Sequence, residues 1–493
     1  MRFFTSACLL AISGVIHAAD SSVLIHRPAS FRLGFENITL PGNEKMGMVG
    51  GSYLLETLPN LYLGPAAYGA ISGKRGGFFT GGGEVAYRLP LANELELETG
   101  FYVGGGGGGA ADSVGGGLML RPHIDLLWNF GSIRAGISAS SVRYPNGSIR
   151  SNQLGAVVSY ETDFIHTSAS RVGQSMPFRE RSGIGFDRIA VLGNVYQPRP
   201  GMTDNTGKPT TRKIGLAGFR TEQFLSNDWI WGIEAGGATS GGADGYAEVL
   251  GTLAWEKPLI GHSVYGGIRG SFGMGGGGNV ATGGGALAKA GVYGTVLLSR
   301  DLYLSAEAGY ATAPDGEFRS RYAALHLGVI LDRPVFQANL DATSFIQGWE
   351  WSGSVQHYVQ AARRDGSYRD LKTIGFKMDR DLEHGLYLSG QAHSAMTGAA
   401  GGYSVGLFGM GWKTPTTSFG LSAGAELMLG ASGGGGVLTE GGALAQPMIY
   451  AKQDLGHGWS ARVGAGKVRA FKGGLNSTVY DVSLGYSFGL PVH

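Results

Sequence analysis

The stretch FYVGGGGGGAADSVGGGLMLRPHIDLL, residues 101–127, decides the fold of this chain. It begins as an alternating strand, passes into six consecutive glycines at 104–109, and resumes as a strand after a second glycine cluster at 115–117. Glycine inside a strand loses the most backbone freedom on folding and packs no side chain. Strings of it therefore indicate a structural or functional use.

The same arrangement occurs three times along the chain. A glycine run at 275–278 is followed by a cluster at 283–285, and a run at 433–436 is followed by glycines at 441–442. The three runs begin at residues 104, 275 and 433. Recurrence at this spacing indicates a long internal repeat.

The segments that follow the second clusters agree position by position. The matched residues are Arg121, Lys289 and Gln446, then Pro122, Ala290 and Pro447, then Ile124, Val292 and Ile449. Because proline cannot donate to a strand ladder, Pro122 and Pro447 predict either a β-bulge or a weak seam in the wall.

Composition favours a structured chain of low charge. Charged residues make up 15% of the 493 residues, glycines number 89, and hydrophobic residues reach 43%. The apolar content argues against disorder. A formal net charge of +2 implies no basic face for nucleic acid.

The N-terminus predicts export. Residues 1–18 have a positive start at Arg2, an apolar core and a small-residue end, which is the pattern of a secretory signal peptide. The one cysteine, Cys8, lies in that segment, so we expect no disulfide and no thiolate metal site in the mature chain. After it, no apolar run approaches the roughly 18 residues of a membrane helix.

Apolar and polar residues alternate through nearly all of the remaining chain. In one example Leu302, Leu304 and Ala306 share a face opposite Tyr303 and Ser305. Such alternation predicts half-buried strands. Turn signals divide the chain into about 26 strands, long enough to cross a bilayer at a tilt.

The strands between successive glycine runs number about nine by the same count. An odd number would make equivalent strands run in opposite directions in an up-and-down barrel. Either the count is off by one, or successive glycine hairpins open to opposite sides.

Tryptophans fall near the beginnings and ends of the predicted strands. They are Trp128, Trp229, Trp231, Trp255, Trp349, Trp351, Trp412 and Trp459. Indole rings prefer the headgroup level of a bilayer, so this distribution indicates aromatic belts.

The strand at 483–488, SLGYSF, carries a glycine followed by aromatic residues at alternate positions. It resembles the closing-strand assembly signal of Gram-negative outer-membrane β-barrel proteins, and the pattern of the whole mature chain is similar to that class. The sequence departs from the class by continuing through 489–493. The resemblance implies outer-membrane localisation and contact with membrane lipid.

The expected fold is therefore all-β. We expect residues 19–493 to form a single large antiparallel transmembrane β-barrel, with about 22–26 strands and three degenerate repeats joined by glycine-rich hairpins. Closure into a barrel pairs every backbone donor and acceptor, as a lipid environment requires.

The polar faces of these strands predict lining residues of an enclosed interior. The candidates are Glu98, Arg121, His123, Asp125, Arg269, Lys289 and Glu426. The candidate contact positions in the glycine patches are Gly106, Gly277 and Gly435. The patches admit three interpretations: close approach of another chain or strand, wall curvature, or flexible hairpin tips.

Two interpretations apply to the row Arg121, His123 and Asp125. It is either an ion-binding or hydrolytic site, or a set of ordinary polar side chains that line a channel wall. The second interpretation is favoured, because the histidine and aspartate do not recur at the matched positions. No metal-ligand spacing, phosphate loop or nucleophile elbow occurs. We therefore predict no metal, no cofactor and no enzymatic activity.

A barrel of this size with mostly short connections would be a wide hole. We therefore expect something to fill its lumen, and the predicted function is a conduit or sleeve for an exported polymer or for a lumen-filling partner protein. The alternative is a structural protein of the cell surface that self-associates through its glycine hairpins. A hydrolase within the barrel, using His123 or His326, is the least favoured interpretation.

Overall fold

The computed structural model describes residues 23–210, 212–261, 263–332 and 343–493. Within them the chain forms twenty-five β-strands and a few short helical turns. The predicted all-β, antiparallel barrel fold is confirmed. The predicted signal peptide, residues 1–18, lies outside the described residues.

In the described part of the chain, no helix has the length and apolar character needed to cross a membrane.

Eight strands form a first closed ring. β1 pairs with β2 along one edge and with β8 along the other, so that the sheet has no free edge. The strands are β1 (Ile25–Thr39), β2 (Lys45–Leu58), β3 (Leu61–Ser72), β4 (Phe79–Ala92), β5 (Leu95–Gly106), β6 (Met119–Asn129), β7 (Ile133–Arg143) and β8 (Arg150–Ser168).

The next eight long strands form a second closed ring. A connecting segment carries the short strand β9 (Ser175–Pro177), and the ring closes where β10 pairs with β17. Its strands are β10 (Arg188–Pro198), β11 (Ile214–Phe224), β12 (Trp229–Ala238), β13 (Ala247–Ile260), β14 (Val264–Gly276), β15 (Ala286–Leu297), β16 (Leu302–Thr312) and β17 (Arg319–Ile330).

The last eight strands form a third ring, which closes where β18 pairs with β25 over fifteen residue pairs. Its strands are β18 (Thr343–Ala362), β19 (Tyr368–Asp381), β20 (Leu386–Ala395), β21 (Ser404–Lys413), β22 (Leu421–Gly433), β23 (Ala443–Gly456), β24 (Trp459–Ala470) and β25 (Asn476–Val492).

The barrel wall therefore closes three times rather than once. A single wall was expected, in which the first strand meets the last, but β1 pairs with β8 and β25 pairs with β18. The strand count between glycine runs was off by one, because each ring has eight strands. The glycine runs join the fifth and sixth strands of every ring. Because the number of strands in a ring is even, these connections all lie at the same rim.

Side chains on the two faces of each ring differ sharply. Outward residues are apolar and exposed, such as Ile137 at 56%, Val292 at 63% and Ile449 at 67% exposure. Inward residues include buried charges, such as Glu98 and Arg269. An apolar outside and a charged inside are the reverse of a soluble protein, and they suit a closed sheet surrounded by lipid.

The two rims of the rings are unlike. At one rim the connections are longer, as at 199–213, 277–285 and 434–442, and this rim carries the glycine runs. At the opposite rim many turns are short, as at 59–60 and 457–458. We call the two ends the glycine rim and the tryptophan rim.

All eight tryptophans lie toward the second rim. Trp128 and Trp412 end strands that run away from the glycine rim, and Trp229 and Trp459 begin strands that run toward it. The others are at a similar level, since Trp255, for example, pairs with Trp229. The chain thus has a tryptophan belt at one rim.

Pro122 and Pro447 interrupt the ladder between the sixth and seventh strands of their rings. Pairing between β6 and β7 passes from Leu120 to His123, and pairing between β23 and β24 passes from Ala445 to Met448, with the register unchanged in both. The β-bulge interpretation is therefore wrong. Because proline has no backbone N–H to donate, the hydrogen-bond ladder has a gap at Pro122 and at Pro447.

The five residues beyond Phe488 hold the rings together at the tryptophan rim. Gly489 pairs with Thr167 of the first ring, next to Phe488 opposite Ser168. The backbone N–H of His493 donates to Asp332 at the end of the second ring, at 2.8 Å. The extension that departs from the expected C-terminus is thus a clasp joining all three rings.

Candidate functional site

The interior of the first ring is filled by an ion-pair network centred on Arg32. Its guanidinium contacts Asp125, Glu84 at 2.5 Å and Glu98 at 3.2 Å. His123 lies beside it, with Nδ1 3.1 Å from Asp125. Three of the candidate lining residues therefore converge around an arginine from the first strand.

Three side chains of this network also carry atoms of the types that bind metal ions: Glu98, His123 and Asp125. One potential ligand atom from each lies within 4.8 Å of the others, and all three side chains are buried. The position is, however, already taken by the positive charge of Arg32, which both carboxylates contact. The donor set therefore does not fit a metal ion, and the predicted absence of a metal site stays a prediction.

Arg121 belongs to the same interior but to a separate pair. Its Nε and Nη2 donate to the two oxygens of Glu36 at 2.9 and 3.0 Å, and its Nη1 donates to the hydroxyl of Tyr68 at 3.2 Å. The bidentate geometry is the strong form of this contact.

Arg269 and Lys289 lie inside the second ring. Arg269 contacts Glu222 at 2.7 Å, and Lys289 donates to Glu234 at 2.5 Å. Glu234 also accepts from Arg220, which extends the network across the ring.

Glu426 is the centre of the third interior. It accepts from Lys377 at 2.5 Å and from Arg462 at 2.6 Å, and the hydroxyl of Tyr387 donates to it at 3.0 Å. The guanidinium of Arg462 lies over the ring of Tyr450, 3.7 Å from its centroid.

The seven charged candidates face inward, but they do not share one lumen. They are divided among three interiors, each packed with paired charges and tyrosines. Breaking one such buried pair leaves an uncompensated charge at a cost of about 3–5 kcal/mol. These networks hold each ring in shape and leave little room for a passing solute.

The glycine runs meet on the axis between the rings. There, six glycines form a closed cycle of backbone contacts, which we call the glycine collar. In order around the cycle they are Gly77, Gly277, Gly245, Gly434, Gly402 and Gly108. A Cβ on Gly245 would lie 2.9 Å from the amide nitrogen of Gly434, and one on Gly402 would lie 3.0 Å from Cα of Gly108.

The collar has a cyclic order. The hairpin between the third and fourth strands of each ring contacts the hairpin between the fifth and sixth strands of the next ring, and the third ring returns to the first. Such head-to-tail contacts close when the rotation between units suits their number. Among the three interpretations of the glycine patches, this geometry matches close approach of opposed backbones.

Two of the three candidate glycines have another role. Gly106 has φ of +123° and its added Cβ would overlap Phe79 in the same ring. Gly435 has φ of +55° and contacts Ala400 of its own ring. Gly277 alone among the three belongs to the collar.

The other hairpin of each pair was not predicted from the sequence. Its glycine precedes a buried aromatic residue that anchors the hairpin in its ring: Phe78 after Gly77, Tyr246 after Gly245 and Tyr403 after Gly402. The recurrence of Gly-Phe, Gly-Tyr and Gly-Tyr two strands before each glycine run was the available signal.

Between the rings lies a central cavity of about 2930 Å³. The outer faces of the three barrels form most of its walls, with Leu33, Val49, Phe219, Val249, Phe376 and Phe408 among the lining residues. Collar glycines lie at one end and tryptophans, such as Trp231 and Trp349, at the other. The cavity therefore runs along the axis from the glycine rim to the tryptophan rim.

The cavity was not predicted because outward apolar residues were assigned to lipid all round one wall. In three rings, part of each outer face turns toward the axis. The cavity is also far larger than an ordinary small-molecule pocket of about 300–1,000 Å³.

Closed antiparallel rings, apolar outer faces and charged interiors are the features of transmembrane β-barrels. The chain therefore has a transmembrane β-barrel fold, and its apolar outer faces suit contact with membrane lipid.

No protein-family model and no curated protein sequence matches the chain. Among solved structures, the outer-membrane protein OpdK of Pseudomonas aeruginosa matches at 9% identity, with 94% of this chain and 98% of that one covered and a TM-score of 0.23. OccAB3 of Acinetobacter baumannii matches at 11% identity over 94% and 99%, with a TM-score of 0.22. A mutant ferric enterobactin receptor of P. aeruginosa matches at 11% identity over 93% and 80%, with a TM-score of 0.29. At these TM-scores the likeness carries no information about this chain's function.

Proposed function

We propose that this β-barrel protein lies in the outer membrane and is a sleeve that holds apolar molecules, in the form of acyl chains, in its central cavity. The observation that carries the proposal is the apolar cavity of about 2930 Å³ between three barrels whose own interiors are filled. Acyl chains suit such a space, because burying apolar surface away from water is favourable by about 25 cal/mol per Å².

The predicted conduit would then lie in the space between the barrels, not inside one of them. A polar polymer would find an apolar wall there, and in the ring interiors it would have to break buried ion pairs such as Arg32–Glu98. An apolar segment of a partner protein is the form of the lumen-filling partner that these walls suit. The self-assembly alternative has less support, because the collar glycines contact one another within the chain.

We also propose that the glycine rim faces the exterior. Outer-membrane barrels have short periplasmic turns and longer extracellular loops, and the longer connections lie at the glycine rim. The collar would then seal the cavity on the outside, and the tryptophan rim would lie at the periplasmic leaflet.

A cavity-filling pair of substitutions tests the sleeve. Gly270 and Gly406 both line the cavity, and an added Cβ would meet no atom within 4 Å at either. Gly270→Trp with Gly406→Trp should displace acyl chains that native mass spectrometry finds on the detergent-purified protein. The matched control is Gly193→Trp with Gly353→Trp, at outward glycines that are equally open and lie outside the cavity lining.

The expected result is loss of bound chains in the first double variant and retention in the second. Equal lipid content in both would refute the sleeve. Conductance in a planar bilayer separates the sleeve from a water-filled conduit: the three filled interiors should give no large channel, and a wide open conductance would favour the conduit.

A further inference from the structure

We propose that the mouth of the central cavity at the tryptophan rim binds the anionic head group of a phospholipid, with Arg380 as the cation that receives it. This inference rests on the proposed function, since it names the class of acyl chain that the sleeve holds. It is carried by a cluster of hydrogen-bond donors that have no acceptor among the described residues.

Arg380 stands on the outer face of the third ring, where a charge is unexpected. Along β19 the outward positions run Ile374, Phe376, Met378 and Arg380, and all four line the central cavity. A charged side chain on the lipid face of a barrel is destabilising by about 2–4 kcal/mol at mid-membrane, and by less near the interface. Its placement therefore indicates a partner.

The described residues do not supply that partner. Arg380 makes no ion pair and no hydrogen bond among them, and its Nε is buried. Asp301 of the second ring is near enough to attract it, without forming an ion pair in the described part of the chain. The guanidinium lies 6.0 Å from the centroid of Trp349, its cross-strand neighbour.

Three more polar groups, in the aromatic cluster to which Trp349 belongs, are in the same condition. The indole N–H groups of Trp349 and Trp351 and the hydroxyl of Tyr53 are buried and have no partner in the described chain. Tyr53 and Trp349 line the cavity, and the rings of Tyr53 and Trp351 meet edge to face at 6.3 Å. Buried donors are normally satisfied, so a group of four indicates a missing acceptor.

The missing acceptor has to be anionic and attached to apolar chains. A phosphate offers several oxygens to a guanidinium and to neighbouring N–H and O–H donors. The acyl chains of the same molecule would extend into the apolar cavity toward the collar. A phospholipid fits better than a single fatty acid, because the volume of the cavity exceeds that of an ordinary small-molecule site.

The level of the site in the membrane supports the same ligand. The tryptophan belt marks the headgroup region of the bilayer, and Trp349 belongs to both the belt and the mouth. A phospholipid of that leaflet already holds its phosphate at this depth. It needs only lateral movement to enter.

The experiment measures lipid selectivity. Purified, delipidated protein in mild neutral detergent is titrated with phosphatidylglycerol and with a diacylglycerol of the same chains, which lacks the phosphate, and bound lipid is counted by native mass spectrometry. The wild-type protein should bind the anionic lipid at least about tenfold more tightly, which is the range for hydrogen bonds to a charged group.

Arg380→Gln should abolish this preference while the diacylglycerol still binds, and Arg380→Lys should keep part of it. The matched control is Arg143→Gln, at an exposed arginine of the first ring outside the cavity. Folding of each variant is checked by its resistance to SDS in unheated samples.

Equal affinity of the wild-type protein for the two lipids would overturn the headgroup site and leave the sleeve intact. If the Gly270→Trp, Gly406→Trp variant binds neither of the two titrated lipids, that result would still support the sleeve. If oleate binds as tightly as phosphatidylglycerol and also loses its affinity in Arg380→Gln, the assignment to a phospholipid is overturned in favour of a fatty acid.

Discussion

Replacing one collar glycine should separate a pair of rings without unfolding either of them. Gly245 has φ of +92°, and an added Cβ would lie 2.9 Å from the amide nitrogen of Gly434 in the third ring. An alanine in the left-handed region costs about 1–2 kcal/mol. Overlap in a packed site adds about 1–3 kcal/mol. Gly245→Ala should therefore disfavour the closed seam by about 2–5 kcal/mol, or at least about 30-fold.

A cysteine pair reports on this seam. A Cβ at Gly237 in the second ring would lie 3.0 Å from Cβ of Ala431 in the third, close to the roughly 3.5–4.5 Å of a disulfide. The one native cysteine, Cys8, falls in the predicted signal peptide. Under mild oxidation the Gly237→Cys, Ala431→Cys protein should therefore form one internal crosslink, visible as a shift on a non-reducing gel.

The matched control separates backbone strain from contact between rings. Gly366 has φ of +80°, but an added Cβ there would meet nothing within 4 Å. Gly366→Ala should crosslink at the parent rate, and Gly245→Ala should crosslink at least tenfold more slowly. Equal rates in the two variants would refute the collar as the contact that holds the rings together.

Three further predictions concern orientation, the ring interiors and the clasp. On intact cells, a membrane-impermeant maleimide should label Lys208→Cys, which lies in an exposed loop of the glycine rim. It should label Thr416→Cys, at the tryptophan rim, only after the cells are opened. The opposite pattern would mean that the tryptophan rim faces the exterior. Arg32→Met should destabilise the protein by about 3–5 kcal/mol in a urea titration of the SDS-resistant form, because it removes the guanidinium that Glu84, Glu98 and Asp125 share. An unchanged midpoint would contradict the network. The hydrogen bond to Asp332 raises the pKa of His493 above its ordinary 6.5, so its contribution is complete below pH 6.5 and is lost as pH rises through the raised value. The stability difference between wild type and His493→Gln should therefore shrink above that pH, and a difference that grows would contradict the assignment.

The strands could be predicted from the sequence because alternation is a local property. Leu302, Leu304 and Ala306 face outward in β16 as expected, and the segment 483–488 lies in the last strand. The inward direction of Glu98, Arg269 and Glu426 followed from the same alternation.

The closure could not be predicted in the same way. A strand with period two looks the same whether its ring contains eight strands or twenty-four, since closure depends on stagger and tilt across many strands. A clue was present in the charges. Arg32 and its carboxylate partners Glu84, Glu98 and Asp125 all come from one stretch of the chain, as a ring closed within that stretch requires.

The cavity could not be predicted because it depends on how finished barrels pack together. Phe376 and Met378 read as lipid-facing residues, and nothing local distinguishes a face turned toward the axis from one turned toward the bilayer. Arg380 is an exception that alternation could have identified. It is an arginine at the outward position two residues after Met378.

The covalent linkage of the three barrels has an evolutionary consequence. Three separate copies of one gene product, gathered around an axis, would have to place every substitution on all three walls at once. A fused chain is free of that constraint, so one wall can acquire Arg380 without the same substitution on the other two. Independent substitution on each wall can thus give the threefold arrangement a distinct front, able to hold a guest in a single orientation.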